Sequence, residues 1–163
     1  MDEQNPGFIF SNILIYQLPR AVAKVYGDSE NDQLKGIVKF YDTPYGGILI
    51  EAEIYGLPNW KEDGASNFYG MHIHEYGDCT RPFDKTGDHY NPQGREHPNH
   101  AGDLLPLMGN QGYAWSAFYN HRIRLDEIIG KSLVVHNMPD DFKTQPSGNS
   151  GKKIGCGVIE AMF

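Results

Sequence analysis

Apolar and polar residues alternate through most of the chain, and this pattern predicts β-strands. The clearest case is residues 48–55, where every second residue from Ile48 to Ile54 is apolar and therefore shares one face of a strand. Similar patterns predict strands at residues 21–26, 34–43, 68–75, 113–120, 122–125, 132–136 and 154–162. Clusters of Gly, Pro, Asn and Asp separate these segments and predict turns.

These eight or so strands, with no convincing helical period, predict an all-β fold. We expect an eight-stranded Greek-key β-barrel or sandwich, because two connections, residues 76–112 and 137–153, are long. Polar loops of this length are uncommon in a compact domain unless they are functional and held in place. We assign residues 21–163 to this domain and residues 1–20 to an N-terminal extension with one short edge strand near residues 13–16.

Composition limits the partners that the chain can bind. Its 163 residues can bury the core of one domain. A formal net charge of −7 without a basic run argues against nucleic acid and anionic membranes, which are bound mainly by clustered Lys and Arg.

Asp2 and Glu3 precede the first apolar stretch, where a secretory signal would carry basic residues. We expect a cytoplasmic location, and an extracytoplasmic one stays open if the N terminus was trimmed.

Five of the seven histidines lie within residues 70–103. In a strand, His72 and His74 project from the same face and can bind one ion together. His89 follows, and then His97, His100 and Asp103 come at intervals of three in a polar loop. Three imidazoles and one carboxylate form a ligand set that Zn²⁺ accepts. A His-x-His pair alone is more often an ordinary half-exposed pair, so the two sets together are the stronger signal of a metal site.

The two cysteines, Cys79 and Cys156, leave two interpretations open at this point. They are enough for one disulfide but too few for a disulfide scaffold. The alternative is a pair of buried thiols, which is the usual state in a reducing cytosol.

Several motifs occur together in the order found in one protein family. They are GMHIHEYGD at 70–78, GDHYNP at 87–92, HAGDL at 100–104, LVVH at 133–136, the pair Asp140–Asp141, and GNSGKKIGCGVI at 148–159. On these motifs the chain resembles the copper/zinc superoxide dismutases over roughly residues 21–163. His121 lies outside every motif, and we expect it to be an ordinary surface residue.

The resemblance implies two metal ions that share one histidine. The copper ligands it implies are His72, His74, His89 and His136, and the zinc ligands are His89, His97, His100 and Asp103. Four nitrogen donors suit copper, and a histidine-rich set with one carboxylate suits Zn²⁺. The resemblance also implies that Asp140 accepts hydrogen bonds from His72 and His97, and that Cys79 and Cys156 form a disulfide.

The activity implied by the resemblance is the dismutation of superoxide, as a small-molecule substrate, to dioxygen and hydrogen peroxide. Copper cycles between two oxidation states in this scheme, and His89 carries a proton as well as bridging the metals. A bound zinc ion makes that proton easier to remove. The oligomeric state stays open, and a homodimer is one form that the resemblance allows.

Two positions depart from the family pattern. Lys153 stands where the family usually has an arginine beside the copper channel, and it keeps the positive charge without the planar fork. We expect Lys153 to attract superoxide, although a solvated lysine at a loop end is the plainer interpretation. Only Pro98 and Asn99 separate His97 from His100, a shorter gap than in common family members.

Two rival functions share the predicted fold. One is a copper-binding or copper-trafficking protein without turnover, and the other is a structural module that binds only zinc. A missing copper ligand would indicate the first rival, and all four imidazoles of the copper set are present. The residues therefore favour the enzyme.

Overall fold

The structure is a computed structural model that describes residues 5–63 and 65–163. These ranges contain two α-helices and nine β-strands. The elements are α1 (Pro6–Tyr16), β1 (Ala21–Gly27), β2 (Lys35–Asp42), β3 (Ile48–Tyr55), β4 (Phe68–Tyr69), β5 (Met71–His74), β6 (Leu107–Met108), β7 (Ala114–Asn120), α2 (Leu125–Ile128), β8 (Ser132–His136) and β9 (Lys153–Ala161). No helix among the described residues is long and apolar enough to cross a membrane.

Seven strands form one curled antiparallel sheet in the order β5-β8-β9-β1-β2-β3-β7. The other two strands, β4 and β6, pair with each other. The first long connection follows from this order, because it leads from β5 at one edge of the sheet towards β7 at the other edge. The second joins β8 and β9, which pair directly. The predicted all-β barrel or sandwich is confirmed, with seven strands in its main sheet.

Strand β3 shows how the alternating pattern builds the core. Its inward residues, from Ile48 to Ile54, are at most 2% exposed, and Ile50 pairs with Phe40 of β2 and Phe118 of β7. In β5 the inward residues are Met71 and Ile73, which both belong to this main core. Burial of these side chains stabilises the sheet and holds β5 in place. The two histidines of β5 consequently face away from the core.

The edge strand expected near residues 13–16 is wrong, because these residues belong to helix α1. Asn5 caps the helix, its side-chain oxygen accepting a hydrogen bond of 2.9 Å from the Gly7 N–H, and Pro6 occupies the first helical turn. Ile13 is buried against Tyr41 and Leu49 on the outer face of β2 and β3. The helix carries apolar residues on all its sides, so its sequence shows no clear helical period. Packing on the sheet decides its conformation.

Two further expectations on β-structure are corrected. Residues 122–125 form no strand, and the chain enters the short helix α2 at Leu125 instead. Glu127 favours this turn, because its carboxylate accepts a hydrogen bond of 3.3 Å from the Arg124 N–H. The segment 68–75 is not one strand, since Gly70 separates β4 from β5 by bonding to the second long loop through the carbonyl of Met138.

Backbone hydrogen bonds hold the first long loop beside β5. The Tyr90 N–H donates to the Ile73 carbonyl over 2.8 Å, and the Ile73 N–H donates to the Gly102 carbonyl over 2.9 Å. Isolated bridges also join His72 to Asp103 and His74 to His89. The long loop is therefore ordered along the free edge of β5, which fits the expectation that a loop of this length is held in place.

We expect the packing of α1 to contribute to global stability. Replacement of the buried Ile13 by Ala should lower the free energy of unfolding by between about 2 and 5 kcal/mol, because it leaves a cavity over Leu49 and Tyr41. Ile15 is 68% exposed on the same helix and is the matched control. Its replacement by Ala should cost less than about 0.5 kcal/mol. Urea unfolding measures the free energy of unfolding of the two variants. Equal losses would mean that the contact of Ile13 with the sheet does not stabilise the fold.

Candidate metal centre

Two adjacent strands place three histidines on one face of the sheet. His72 and His74 lie on β5, and His136 ends the neighbouring strand β8. The Nε2 atoms of His74 and His136 are 3.3 Å apart. All three side chains are buried under the long loops rather than in the main core. Antiparallel pairing thus brings together residues that are more than sixty positions apart in the chain.

The first predicted ligand set converges as expected. It consists of His72, His74, His89 and His136, and each residue offers one ligand atom within 4.8 Å of the others. His72 Nδ1 and His89 Nε2 are buried and have no hydrogen-bond partner among the described residues. Buried polar atoms are rarely left without a partner in proteins, so these two nitrogens are available as ligands for an ion. The donors are all imidazole nitrogens, which fit copper.

The second predicted set, His89, His97, His100 and Asp103, also converges within 4.8 Å. The Asp103 carboxylate is its centre. One oxygen is 2.8 Å from His89 Nδ1, and the other is 3.0 Å from His97 Nδ1 and 3.3 Å from His100 Nδ1. His97 Nδ1 makes no hydrogen bond among the described residues despite this short distance, so its lone pair is free for a metal. Three imidazoles and one carboxylate fit Zn²⁺.

The short gap between His97 and His100 does not keep these residues apart. The Asn99 N–H donates to the Glu96 carbonyl over 2.8 Å, and the Asp103 N–H donates to the His100 carbonyl over 3.1 Å. Two successive turns therefore direct both imidazoles towards Asp103.

His89 belongs to both sets. Its Nδ1 lies beside Asp103, and its unpartnered Nε2 faces the first set. The ring is also stacked on His72, with the ring centroids 3.9 Å apart. A single buried imidazole thus joins the two clusters.

Asp140, from the second long loop, connects the two sets by a second route. One carboxylate oxygen accepts a hydrogen bond of 2.8 Å from His72 Nε2, and the other accepts one of 2.7 Å from His97 Nε2. Burial acts to raise the pKa of Asp140, but these two bonds and one from the Phe142 N–H outweigh burial and hold the pKa well below its ordinary value. Asp140 therefore stays ionised and fixes both rings.

Backbone carbonyls orient the other two imidazoles of the first set. The Gly87 carbonyl is 2.8 Å from His74 Nδ1, and the Gly151 carbonyl is 3.4 Å from His136 Nδ1. A carbonyl only accepts, so Nδ1 carries the proton in each ring and Nε2 presents its lone pair to the set. Sequence reasoning missed these two glycines, because a backbone acceptor leaves no signature in a side-chain pattern.

Burial keeps His72, His74 and His136 neutral. It lowers the pKa of His72 to about 4, although Asp140 acts in the opposite direction. It also lowers the pKa of His136 well below its ordinary value, and the neighbouring His72 and His74 lower it further. A neutral imidazole is the form that coordinates a metal. These three residues are therefore in the form that binds an ion at neutral pH.

Lys153 lies at the start of β9, beside the loop segment whose Gly87 carbonyl accepts a hydrogen bond from His74. Its ammonium donates to Thr86 Oγ1 over 2.7 Å and to the Gly87 carbonyl over 3.3 Å. Burial lowers the pKa of Lys153, and Asp84 and Asp88 oppose this effect. Lys152 points elsewhere and forms a salt bridge of 2.8 Å with Glu30. Only the second lysine of the pair therefore belongs to the metal side of the barrel.

Cys79 and Cys156 form a disulfide, which confirms the pairing implied by the resemblance and excludes two free thiols. The bond connects the first long loop to β9. Phe83 and Val134 pack against it, and Val134 lies on the same strand as His136. The disulfide therefore holds the loop that carries His89 against the strands of the site.

Comparison with known proteins agrees with this geometry. Residues 34–159 match the family model described as copper/zinc superoxide dismutase. The chain is 35% identical to superoxide dismutase [Cu-Zn] 3 of Arabidopsis thaliana, over 86% of this chain and 89% of that protein. It is 33% identical to superoxide dismutase [Cu-Zn] A of Xenopus laevis, over 86% of this chain and 96% of that protein.

A second kind of relative also matches. The chain is 34% identical to the copper chaperone for superoxide dismutase of Mus musculus, over 77% of this chain and 48% of that protein. This chain spans about half the length of that relative. Because the family model covers most of the chain and the dismutases align over most of both lengths, the chain belongs to the copper/zinc superoxide dismutase family.

Proposed function

We propose that this protein is a superoxide dismutase that converts two superoxide ions and two protons into dioxygen and hydrogen peroxide. In this proposal copper is held by His72, His74, His89 and His136, and zinc by His89, His97, His100 and Asp103. The observation that supports it most is the position of His89, whose two nitrogens face two different ligand sets. Copper bound in the first set would supply one-electron oxidation and reduction, for which zinc has no capacity.

His89 is the proposed proton carrier. Its Nε2 is buried and unpartnered among the described residues, so a proton held there is close to a substrate at the first set. Asp103 lies 2.8 Å from Nδ1, the nitrogen that would bind zinc, and a zinc ion shared by these two side chains would keep the ring in one orientation. Delivery of this proton to reduced superoxide would assist its departure as hydrogen peroxide, because a positioned acid lowers the barrier to proton transfer.

Asp140 and the carbonyls of Gly87 and Gly151 have a positioning role in this proposal. They accept hydrogen bonds from the ring nitrogens that point away from the ions. Such partners fix ring orientation and raise the basicity of a ligand. The two sets would then keep their shape through repeated turnovers.

Lys153 is the proposed attractor of the substrate anion. The chain as a whole carries a formal charge of −7, which repels superoxide. Thr86 and the Gly87 carbonyl hold the Lys153 ammonium, and the same carbonyl accepts a hydrogen bond from His74. Lys153 therefore provides a fixed positive charge near the first set. The local field at this point can therefore oppose the net charge of the molecule.

The similarity to a copper chaperone favours one alternative, a protein that binds copper without turnover. The two functions differ in what bound copper does. We prefer the enzyme because all four imidazoles of the first set converge, and such a set would hold copper and support its redox cycling.

The first test measures metal content together with superoxide consumption by the copper-loaded protein. We expect about one copper and one zinc per chain, with rapid consumption of superoxide. Replacement of His136 by Ala should abolish copper binding and activity but keep zinc, because His136 belongs only to the first set. The matched variant His100→Ala should lose zinc and keep copper. Stoichiometric copper without activity in the wild type would favour the chaperone function.

The second test concerns Lys153. Replacement by Glu should lower kcat/KM by about tenfold or more at low ionic strength, and less at high salt, because a nearby charge acts through the field on an incoming anion. Lys152→Glu makes the same change in net charge at a position that pairs with Glu30, and it should lower kcat/KM much less. Equal losses in the two variants would mean that only the net charge matters.

The third test concerns the space beside Asp140. Gly148 has a φ of +71°, and a Cβ there would overlap Asp140 Oδ1 and His97 Nε2. Gly148→Ala should therefore displace the carboxylate and lower zinc affinity by about 10- to 100-fold. Gly94 has a similar φ of +62° with open space around it, so Gly94→Ala controls for backbone strain alone. Chelator competition measures both affinities, and an unchanged affinity in Gly148→Ala would remove Asp140 from this role.

A further inference from the structure

Two adjoining cavities share His121 and Arg122, which follow β7, and one of them reaches Asp103 of the second metal set. The first has a volume of about 400 Å³, and we call it the basic cavity. It is lined by Gln93, Arg95, Asn99, Ala101, His121 and Arg122. The second, of about 480 Å³, we call the aromatic cavity. Its other lining residues include Pro98, Leu104, Leu105, Phe118, Tyr119 and Phe142. Each volume lies in the range of roughly 300–1,000 Å³ that is typical of small-molecule sites.

The basic cavity carries positive charge on a negatively charged protein. No carboxylate from residues 5–63 or 65–163 lines it. Arg20 and Arg124 form salt bridges with Asp42 and Asp126, whereas Arg95 and Arg122 form none in the part of the chain that the structure describes. Guanidinium groups without a carboxylate partner bind oxyanions, and phosphate in particular, through paired hydrogen bonds. The amides of Gln93 and Asn99 add neutral donors to the same wall.

The two arginines differ in how they are held. The Arg122 guanidinium donates one hydrogen bond of 2.8 Å to the Pro98 carbonyl, which orients it between the two cavities. The Arg95 side chain makes no hydrogen bond with the described residues, although its backbone is fixed by Asn91. Arg122 is therefore a positioned donor, and Arg95 is free to close over a bound anion.

The aromatic cavity offers surfaces for a planar ring. The rings of Tyr119 and His121 are nearly parallel, with 24° between their planes and 6.5 Å between their centroids. Phe142 on the other side is 46% exposed. One acidic residue, Asp103, lines this cavity, but both its oxygens face histidines of the second metal set. Exposed aromatic and apolar side chains beside cationic donors fit a ligand that has an aromatic part and an anionic part.

We propose that the two cavities form one binding site for a phosphate monoester that carries a planar ring. The phosphate group binds to Arg95 and Arg122 in the basic cavity, and the ring occupies the aromatic cavity beside Tyr119 and His121. His121 is then part of a ligand site rather than an ordinary surface residue. This site does not depend on the proposed dismutase activity, since none of its cationic groups belongs to a metal set.

Calorimetric titration of the metal-loaded protein with adenosine monophosphate tests this proposal. We expect adenosine and inorganic phosphate, each of which fills only one cavity, to bind at least about tenfold more weakly than the nucleotide. Arg95→Gln should weaken nucleotide binding by about tenfold, because it removes a charged donor. Arg122→Lys should weaken it too, since lysine can still reach the Pro98 carbonyl but lacks the fork. Arg124→Gln is the matched control outside both cavities and should bind like the wild type.

Several results would overturn the proposal. These are no nucleotide binding up to a concentration on the order of 10 mM, equal affinity for phosphate alone, or unchanged affinity in Arg95→Gln. Loss of nucleotide binding in Lys153→Gln, with Arg95→Gln unaffected, would place the anion at Lys153 and would also overturn it. Arg95→Gln keeps the test decisive if Arg122→Lys does not fold, since the Arg95 side chain has no hydrogen bond to lose within the described residues.

Discussion

The carboxylate of Asp140 is the interaction on which the rest of the site depends. It accepts hydrogen bonds from His72 on β5 and from His97 in the first long loop, while Asp140 itself lies in the second long loop. Three separate parts of the chain therefore meet at one buried anion. A buried carboxylate is costly unless it is fully hydrogen-bonded, and here both oxygens have partners. Loss of this group would release two imidazoles, one from each ligand set, at the same time.

The barrel core and the disulfide keep the strands and the loop of the site in place. Met71 and Ile73 anchor β5 in the main core, so His72 between them and His74 after them have little freedom to move. The disulfide from Cys79 to Cys156 and the backbone bonds of Tyr90 and Gly102 anchor the loop above. Ligands held on a rigid strand and under a fixed loop need little reorganisation when an ion binds or changes its charge. Such a small reorganisation suits the proposed reaction, in which the protein changes little between the two halves of a cycle.

The surface away from the metal sets carries features of its own. Helix α1 covers Leu49 and Tyr41 on the outer face of the sheet, and Phe10 stacks on Tyr119 with 5.2 Å between ring centroids. Tyr119 in turn lines the aromatic cavity together with His121. Packed rings thus connect helix α1 to β7 and to the aromatic cavity. A ligand in the two cavities would contact the same loop that carries His97 and His100, through Pro98 and Asn99.

Period-two alternation in the sequence was sufficient to predict most strands and to place His72 and His74 on one face, because strand geometry depends only on neighbouring residues. The family motifs were sufficient to name the residues that the structure brings together, including Cys79 with Cys156. Local pattern did not predict α1, since its conformation depends on a sheet that forms far along the chain. The tertiary structure alone decided which backbone carbonyls orient His74 and His136, how two turns bring His97 and His100 to Asp103, and that Arg95 and Arg122 line one cavity. These contacts join residues that are distant in sequence or involve the backbone, so side-chain spacing carries no signal of them.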